Sequence, residues 1–313
     1  MNLLGSLRYL VALDEHKHFG RAALACHITQ PALSNALRAI EQEFGCAIVT
    51  RGRSFVGFTP QGQRVLASAR RMLQERELLG QDLLSSADNP CGTLRIGVVP
   101  TAVPIAARFA ALLQARHAGL KPVVLSLSSP EIETGLDNLS LDMGLGYTDR
   151  LDDLGIKLGT VQQYVEHYFL LRRAKRPSGD QLRFGPQTTW AEAAQRPLCL
   201  LTPDMHNRTV VDKAFATAGA QVKPVIETNS ILTLALAVLV GDVCSVLPGA
   251  LVGVVRGYRE LEALPLAAPQ VLTPVGFMIQ AGDRPSRTLE AAIALAREPH
   301  WLAHVAANSG VLG

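Results

Sequence analysis

The chain has 313 residues, 48% of them hydrophobic and 18% charged. That length supports two or three domains with cores of their own, and the composition excludes both a largely disordered chain and a membrane bundle. The net charge of +3 is uneven: residues 1–71 hold nine Lys/Arg against four Asp/Glu, a net +5 that leaves −2 for the remainder. A basic N-terminal piece on a slightly acidic body points to a polyanion partner at one end and a different partner at the other. The longest apolar run, Ile231 to Val240, is half of the roughly 20 residues that cross a bilayer, and no basic-then-apolar leader opens the sequence. No membrane partner and a cytoplasmic location are therefore expected. Five scattered cysteines (Cys26, Cys46, Cys91, Cys199, Cys244) include no C-x-x-C pair, which argues for reduced core thiols and against a disulfide framework or a zinc site.

Along the chain, Leu3, Leu4, Leu7, Leu10, Val11 and Leu13 recur at helical spacing, and His16-Lys17-His18 reads as a solvated helix end. Phe19 to Ala25 is a second short helix, Cys26 to Ile28 a turn, and Thr29 opens a third helix with Pro31 in its first turn. Leu33, Leu37, Ile40 and Phe44 continue that helix to Gly45. Two helices joined by a tight turn form a helix-turn-helix candidate. Ile48 and Val49 can pair with Phe55 and Phe58 across a basic turn, as a small β wing. Thr59-Pro60 then starts a helix of up to about 28 residues, about 42 Å long. Val65, Ala69, Met72, Arg76, Leu79 and Leu83 follow it at alternating gaps of four and three, the spacing of a coiled-coil seam broken by Arg76. The competing reading is an amphipathic helix packed on its own domain.

From Gly92 onward, short apolar runs alternate with amphipathic helices. Strands are expected at 94–99, 122–127, 143–147, 157–161, 168–171, 198–201, 225–228, 243–247 and 271–279. Helices are expected at 105–115, 131–139, 208–218, 231–240 and 286–296. Strand–helix alternation implies a parallel α/β sheet, and two such series imply two lobes with a cleft between them, the last strand and helix returning to the first lobe.

With these elements placed, the sequence resembles the LysR-type transcriptional regulators. The resemblance runs through Phe19-Gly-Arg-Ala-Ala-Leu-Ala-Cys-His-Ile-Thr-Gln-Pro-Ala-Leu-Ser34, Leu37 to Gly45, Arg51 and Thr59-Pro-Gln-Gly62. It continues more loosely through Gly92-Thr-Leu-Arg-Ile-Gly97 and Gly241-Asp-Val-Cys-Ser-Val-Leu-Pro248. Ile40, Val49, Thr50 and Asn35 depart from the family's usual residues. The implied fold class is α/β: a winged helix-turn-helix over 1–59, a linker dimerisation helix over 60–89, and a periplasmic-binding-protein-like effector domain over 90–313. Within the last, lobe I takes about 92–163 and 269–313, and lobe II about 164–268. The resemblance implies double-stranded DNA and a small-molecule effector, an organic anion first of all, as partners. It also implies a homodimer or homotetramer and leaves RNA polymerase contact open. Effector binding would then act on DNA bending or promoter contacts.

A recognition helix enters the major groove N-terminus first, which puts Thr29, Gln30, Pro31, Ser34, Asn35 and Arg38 in reach of DNA. Gln30 and Asn35 can each pair with adenine through two hydrogen bonds, and Arg38 can do so with guanine. Thr29 and Ser34 read as phosphate contacts or caps, and Arg51 and Arg53 on the wing as phosphate or minor-groove contacts. In a two-lobed receptor a ligand sits at strand C-termini and helix N-termini. Thr101, Ala102, Ser128, Ser129, Thr202 and Asn229 occupy such ends, with His206 and Arg208 able to supply charge.

The family's oxidant-sensing branch has a reactive cysteine shortly after the strand that is 198–201 here, where this chain has His206. Cys199 lies inside that strand, and buried strand cysteines are usually inert. Direct peroxide sensing through a disulfide is thus the lesser alternative, beside a solute-binding sensor without DNA contact. No enzyme and no cofactor are expected: Gly144-Leu-Gly146 is too short for a dinucleotide fingerprint, and neither a P-loop nor a nucleophile elbow occurs.

Overall fold

The computed structural model describes residues 2–52, 55–85, 89–154, 158–177, 179–280 and 285–309. Contacts within the chain gather its first 86 residues into one unit and nearly all of the remainder into a second.

In the first unit, helix α1 (Leu3–His16) starts where the Asn2 side chain accepts from the Gly5 amide, 3.0 Å away. His18 caps α2 (Phe19–Ala25) by accepting the Gly20 and Arg21 amides on Nδ1, so its polar role is structural. Thr29 caps α3 (Gln30–Phe44), which ends at Gly45 with φ +64°, a left-handed turn that glycine adopts without a Cβ clash. Leu7, Leu10, Leu13, Ala22, Leu33, Leu37 and Ile40 form the core between the three helices. The Glu41 carboxylate accepts the amides of Ile48 (2.9 Å) and Val49 (3.1 Å) and thereby fixes the entry to the wing. The wing pairs β1 (Val49–Arg51) antiparallel with β2 (Phe55–Phe58), with Val49 opposite Phe58.

Helix α4 (Pro60–Leu84) has 25 residues, close to the expected length. Its apolar stripe divides into two parts. Leu66 and Ala69 are buried and Leu73 is half-buried against the core of the first unit, whereas Met72, Leu79, Leu83 and Leu84 are exposed. Leu66 and Leu73 lie off the seam expected from spacing, because the helix first serves its own domain and only later exposes apolar side chains.

The second unit has two lobes. In the first are β3 (Gly92–Val98), α5 (Val103–Arg116), β4 (Leu120–Ser126), α6 (Ser129–Asp137), β5 (Met143–Tyr147), α7 (Asp149–Leu154) and β6 (Leu158–Glu166). The second lobe holds β7 (Tyr168–Arg173), β8 (Arg183–Phe184), β9 (Thr188–Thr189), α8 (Trp190–Ala193), β10 (Leu198–Leu201) and α9 (His206–Thr217). It continues through β11 (Ile226–Thr228), α10 (Ile231–Val240), β12 (Cys244–Pro248), α11 (Gly249–Val254) and β13 (Leu261–Ala267). The chain then returns to the first lobe as β14 (Thr273–Gln280), α12 (Arg287–Ala296) and α13 (Pro299–Ser309).

The first-lobe sheet has the order β4-β3-β5-β14-β6, and the second runs β11-β10-β12-β7-β13-β8 with β9 also on β13. Both are mixed sheets, which corrects the expectation of a parallel sheet. β14 lies antiparallel to β5 and β6, and β7 antiparallel to β12 and β13, because the strands that cross between lobes join each sheet against its direction. Leu198 to Leu201 are buried without alternation: Cys199 and Leu201 face one apolar cluster, Leu198 and Leu200 another, so the strand is covered on both faces. No helix among the described residues is long and apolar enough to cross a membrane.

Gly62, in the first turn of α4, is the tightest helix–wing approach: a Cβ there would lie 2.1 Å from the Ile48 carbonyl oxygen. Alanine normally gains about 1 kcal/mol over glycine inside a helix, but overpacking against backbone costs about 1–3 kcal/mol. Gly62→Ala is therefore expected to destabilise the first unit by up to about 2 kcal/mol, read as a lower urea midpoint. A raised midpoint would contradict this packing.

Candidate functional site

On α3, Gln30, Pro31, Asn35 and Arg38 are exposed and Ser34 is half-buried. Positions 31, 34, 35 and 38 share a helical face, and the Arg38 guanidinium donates to Asn35 Oδ1 at 3.2 Å, which orients both side chains outward along it. The Thr29 hydroxyl accepts the Ala32 amide at 3.4 Å, so its capping role is met. Arg53 and the side chain of Arg51 lie outside the described residues.

In the second unit, a small polar pocket forms where β3, β5 and β10 end and α6 and α9 begin. Thr101, Ser128, Ser129, Tyr147, His206 and Asn207 line it, together with Val99, Pro100, Leu201 and Met205. The first residues of α6 and α9 thus both border it. The Tyr147 hydroxyl lies 2.8 Å from Thr101 Oγ1, receives the Asn207 amide at 3.3 Å, and donates to Glu166 at 3.2 Å. Tyr168 donates to the same Glu166 oxygen at 3.3 Å and lies 3.2 Å from Thr273 Oγ1. Ser129 Oγ, His206 Nε2, Thr202 Oγ1 and Glu166 Oε1 are buried without a hydrogen-bond partner.

The charge in the pocket differs from expectation. Arg208 is buried and donates to Asp212 (2.8 Å), Glu227 (2.7 Å) and the Leu201 carbonyl (2.6 Å), so it supplies no spare charge. Burial, followed by the Arg150 guanidinium, lowers the His206 imidazole from its usual value. Arg150 Nη1 lies 3.3 Å from His206 Nδ1. A guanidinium can only donate, so Nδ1 accepts and the neutral ring carries its hydrogen on Nε2, which is buried without a partner. Arg150 itself is paired with Glu133 at 2.6 Å.

Of the other expected residues, Ser128 is engaged with Glu131 through its amide and hydroxyl, and Ala102 is fully buried in the first-lobe core. Asn229 lies instead on an adjoining apolar cavity, which shares Pro100 with the pocket. Tyr147, Asn207 and Glu166 were not foreseen, although Tyr147 ends a strand and Asn207 opens a helix, the very positions used to choose the others. None of the five cysteines, all among the described residues, is in a disulfide; burial raises the thiol pKa of both Cys199 and Cys244.

Two family models match the chain: "LysR substrate binding domain" over residues 87–300 and "Bacterial regulatory helix-turn-helix protein, lysR family" over residues 4–63. The DNA-binding transcriptional dual regulator OxyR of Escherichia coli K12 is 41% identical over 98 residues, 31% of this chain and 32% of that protein. An SDS degradation transcriptional activation protein from Pseudomonas sp. is 45% identical over 101 residues, 32% of this chain and 33% of that one. The match thus spans about a third of the length of these curated relatives. The uncharacterized HTH-type transcriptional regulator YnfL of E. coli K12 is 27% identical over 275 residues, 85% of this chain and 89% of that protein. Among solved structures, a full-length OxyR variant from Pseudomonas aeruginosa aligns with TM-score 0.66 at 23% identity, covering 93% of this chain and 96% of that one. CbnR in complex with its target DNA aligns with TM-score 0.62 at 16% identity, covering 96% and 99%. These structural likenesses establish the fold.

Burial pushes the Glu166 carboxyl up from 4.5 to about 7, against the hydrogen bonds from Tyr147 and Tyr168 that pull it down. Between those values the native chain binds more protons than the unfolded chain, so the stability held in this group is complete below about pH 4.5 and is lost as pH rises through about 7. Glu166→Gln should remove this slope, gaining up to about 3 kcal/mol on the unsubstituted chain between pH 5 and pH 8. Urea midpoints of both chains across that range decide it; parallel curves would refute the assignment.

Proposed function

The chain belongs to the LysR family, and on that premise we propose that it is a DNA-binding transcriptional regulator whose second unit senses a small molecule between its lobes. The observation that carries this reading is the pairing of exposed Gln30, Asn35 and Arg38 on α3 with a cleft pocket that holds unpartnered buried donors. In this reading residues 1–59 bind DNA, 60–89 link two subunits, and 90–313 sense the effector. Gln30 and Asn35 read bases, Arg38 assists, and Thr29, Pro31, Ser34, Arg51 and Arg53 meet the backbone. The exposed Met72, Leu79, Leu83 and Leu84 support pairing of two α4 helices, and the exposed Leu236 and Val240 of α10 support a second pairing, hence a tetramer. Effector binding changes the spacing of the paired heads and with it the DNA bend; contact with RNA polymerase belongs to the same proposal.

On the signal, the relatives support an oxidant better than an organic anion, since OxyR and several proteins described as hydrogen peroxide-inducible genes activators are among them. The uncharged donor set of the pocket agrees with a neutral peroxide, which is the second reading. Its weak point is chemical: the buried Cys199 and Cys244 lack the thiolate character that peroxide attacks. Peroxide treatment that alters the DNA footprint with loss of free thiols, counted by mass spectrometry, would decide for the oxidant. An unchanged footprint beside a response to a small organic acid would decide for the anion.

DNA affinity should fall steeply with salt, as phosphate contacts release counterions. Gln30→Ala is expected to cost about 1–3 kcal/mol at the base it reads and to flatten sequence preference, while Arg53→Ala weakens all sequences evenly. Equal losses on specific and random duplexes for both variants, in a titration at fixed salt, would reject that division.

A further inference from the structure

We infer that the second unit carries, beside its polar pocket, an apolar chamber that takes the body of an uncharged amphiphile whose one polar oxygen sits against Ser129 and His206. This rests on the reading of the cleft as a small-molecule site and names the ligand class for it.

The chamber has a volume of about 390 Å³ and draws its walls from both lobes. Pro100 and Val103 come from the first; Ala235 of α10, Leu247 of β12, and Leu251 and Val254 of α11 come from the second. Small-molecule sites start at about 300 Å³, and an apolar cavity of about 150 Å³ holds benzene, so this one has room for roughly fifteen non-hydrogen atoms. The polar pocket is of another scale: about 10 Å³, the room of one water-sized atom. Pro100 belongs to the walls of both.

The polar end settles the charge of the ligand. Ser129 is 4% exposed and lines the pocket, and its hydroxyl has no hydrogen-bond partner; neither does Nε2 of His206. A single acceptor oxygen placed there would take a hydrogen bond from each. A carboxylate would find the nearby guanidiniums already committed, Arg150 to Glu133 and Arg208 to Asp212 and Glu227. It would also bring two oxygens to a space for one and lose its hydration without an ion partner. The ligand class is therefore a neutral alcohol or carbonyl compound with an aliphatic or aromatic body, rather than an organic anion.

Calorimetry on the full chain with straight-chain 1-alkanols tests this, with sodium octanoate as the charged counterpart of 1-octanol. Affinity is expected to rise about fourfold per methylene from 1-butanol upward until the chamber fills. Octanoate should bind at least tenfold more weakly than 1-octanol. Val254→Trp, at an exposed position on the rim, should abolish 1-octanol binding while leaving the thermal midpoint of the unliganded chain unchanged. Ser129→Ala and His206→Ala should each weaken it threefold or more. Octanoate binding as tightly as 1-octanol, with loss in Ser129→Ala, would overturn the ligand class and leave the cleft as the ligand site. No saturable alkanol binding, or 1-octanol binding untouched by Val254→Trp, would overturn the chamber. Binding lost in Val254→Trp but indifferent to both Ser129→Ala and His206→Ala would overturn the polar pocket, and with it the reading of the cleft.

Discussion

The second unit depends on a carboxyl buried where the chain crosses between its lobes. Glu166 is the last residue of β6, in one sheet, and Tyr168 the first of β7, in the other, with only His167 between. The return crossing ends at Thr273, which stands opposite Glu166 in the β14–β6 register and near the Tyr168 hydroxyl. Both crossings are thereby tied by side chains within a few residues of Glu166. A fully buried carboxyl is costly as an anion, and the hydroxyls of Tyr147 and Tyr168 offset part of that cost by donating to it. The lobes can reorient only as far as this polar cluster allows, because breaking it leaves a buried group unpaired.

The first unit relies on a different economy, one of caps. Asn2, His18, Thr29 and Thr59 each accept amides at a helix start, and Glu41 does the same for the first wing strand. Short helices are marginal alone, and caps of this kind contribute about 1 kcal/mol each. With the helix start capped by Thr29 and the wing entry held by Glu41, Gln30 and Asn35 have no capping role on α3. That is why Gln30 and Asn35 can face outward.

Legibility followed the same physics. The helices of the first unit and the isolated strand–helix pairs from Gly92 on were readable because caps and periodicity are local. The path of the sheets was not: β6 was expected to end near Val161, yet it runs to Glu166, and Leu261 to Ala267, with Pro265 inside it, gave no strand signal although it pairs with β7. The short α8, with its Thr189–Glu192 capping box, and α11, which follows Pro248, lay in stretches too brief for a periodic pattern. At the site, strand ends and helix starts pointed to Thr101, Ser129 and His206, which do meet. The same rule could not say that Arg208 would be consumed by Asp212 and Glu227, since Glu227 lies on a neighbouring strand. Nor could it find Glu166, whose importance comes from the sheet crossing rather than from its neighbours in sequence.

Tyr147 joins these two levels. A phenol hydroxyl has one hydrogen to donate and accepts through its lone pairs, and here it meets Thr101, Asn207 and Glu166. Asn207 can only donate to it through its amide nitrogen, so if the Tyr147 hydrogen goes to Glu166, the Thr101 hydroxyl must donate as well. The hydroxyl is then saturated. Thr101 and Asn207 also line the polar pocket, so a group bound there that draws either one away strips a donor from Tyr147 and changes how firmly it can donate to Glu166. Pocket and crossing are therefore coupled through hydrogen-bond valence. No charge in the pocket is needed for that coupling, which is consistent with a lining that holds no arginine and with the neighbouring Arg150 and Arg208 being paired to carboxylates.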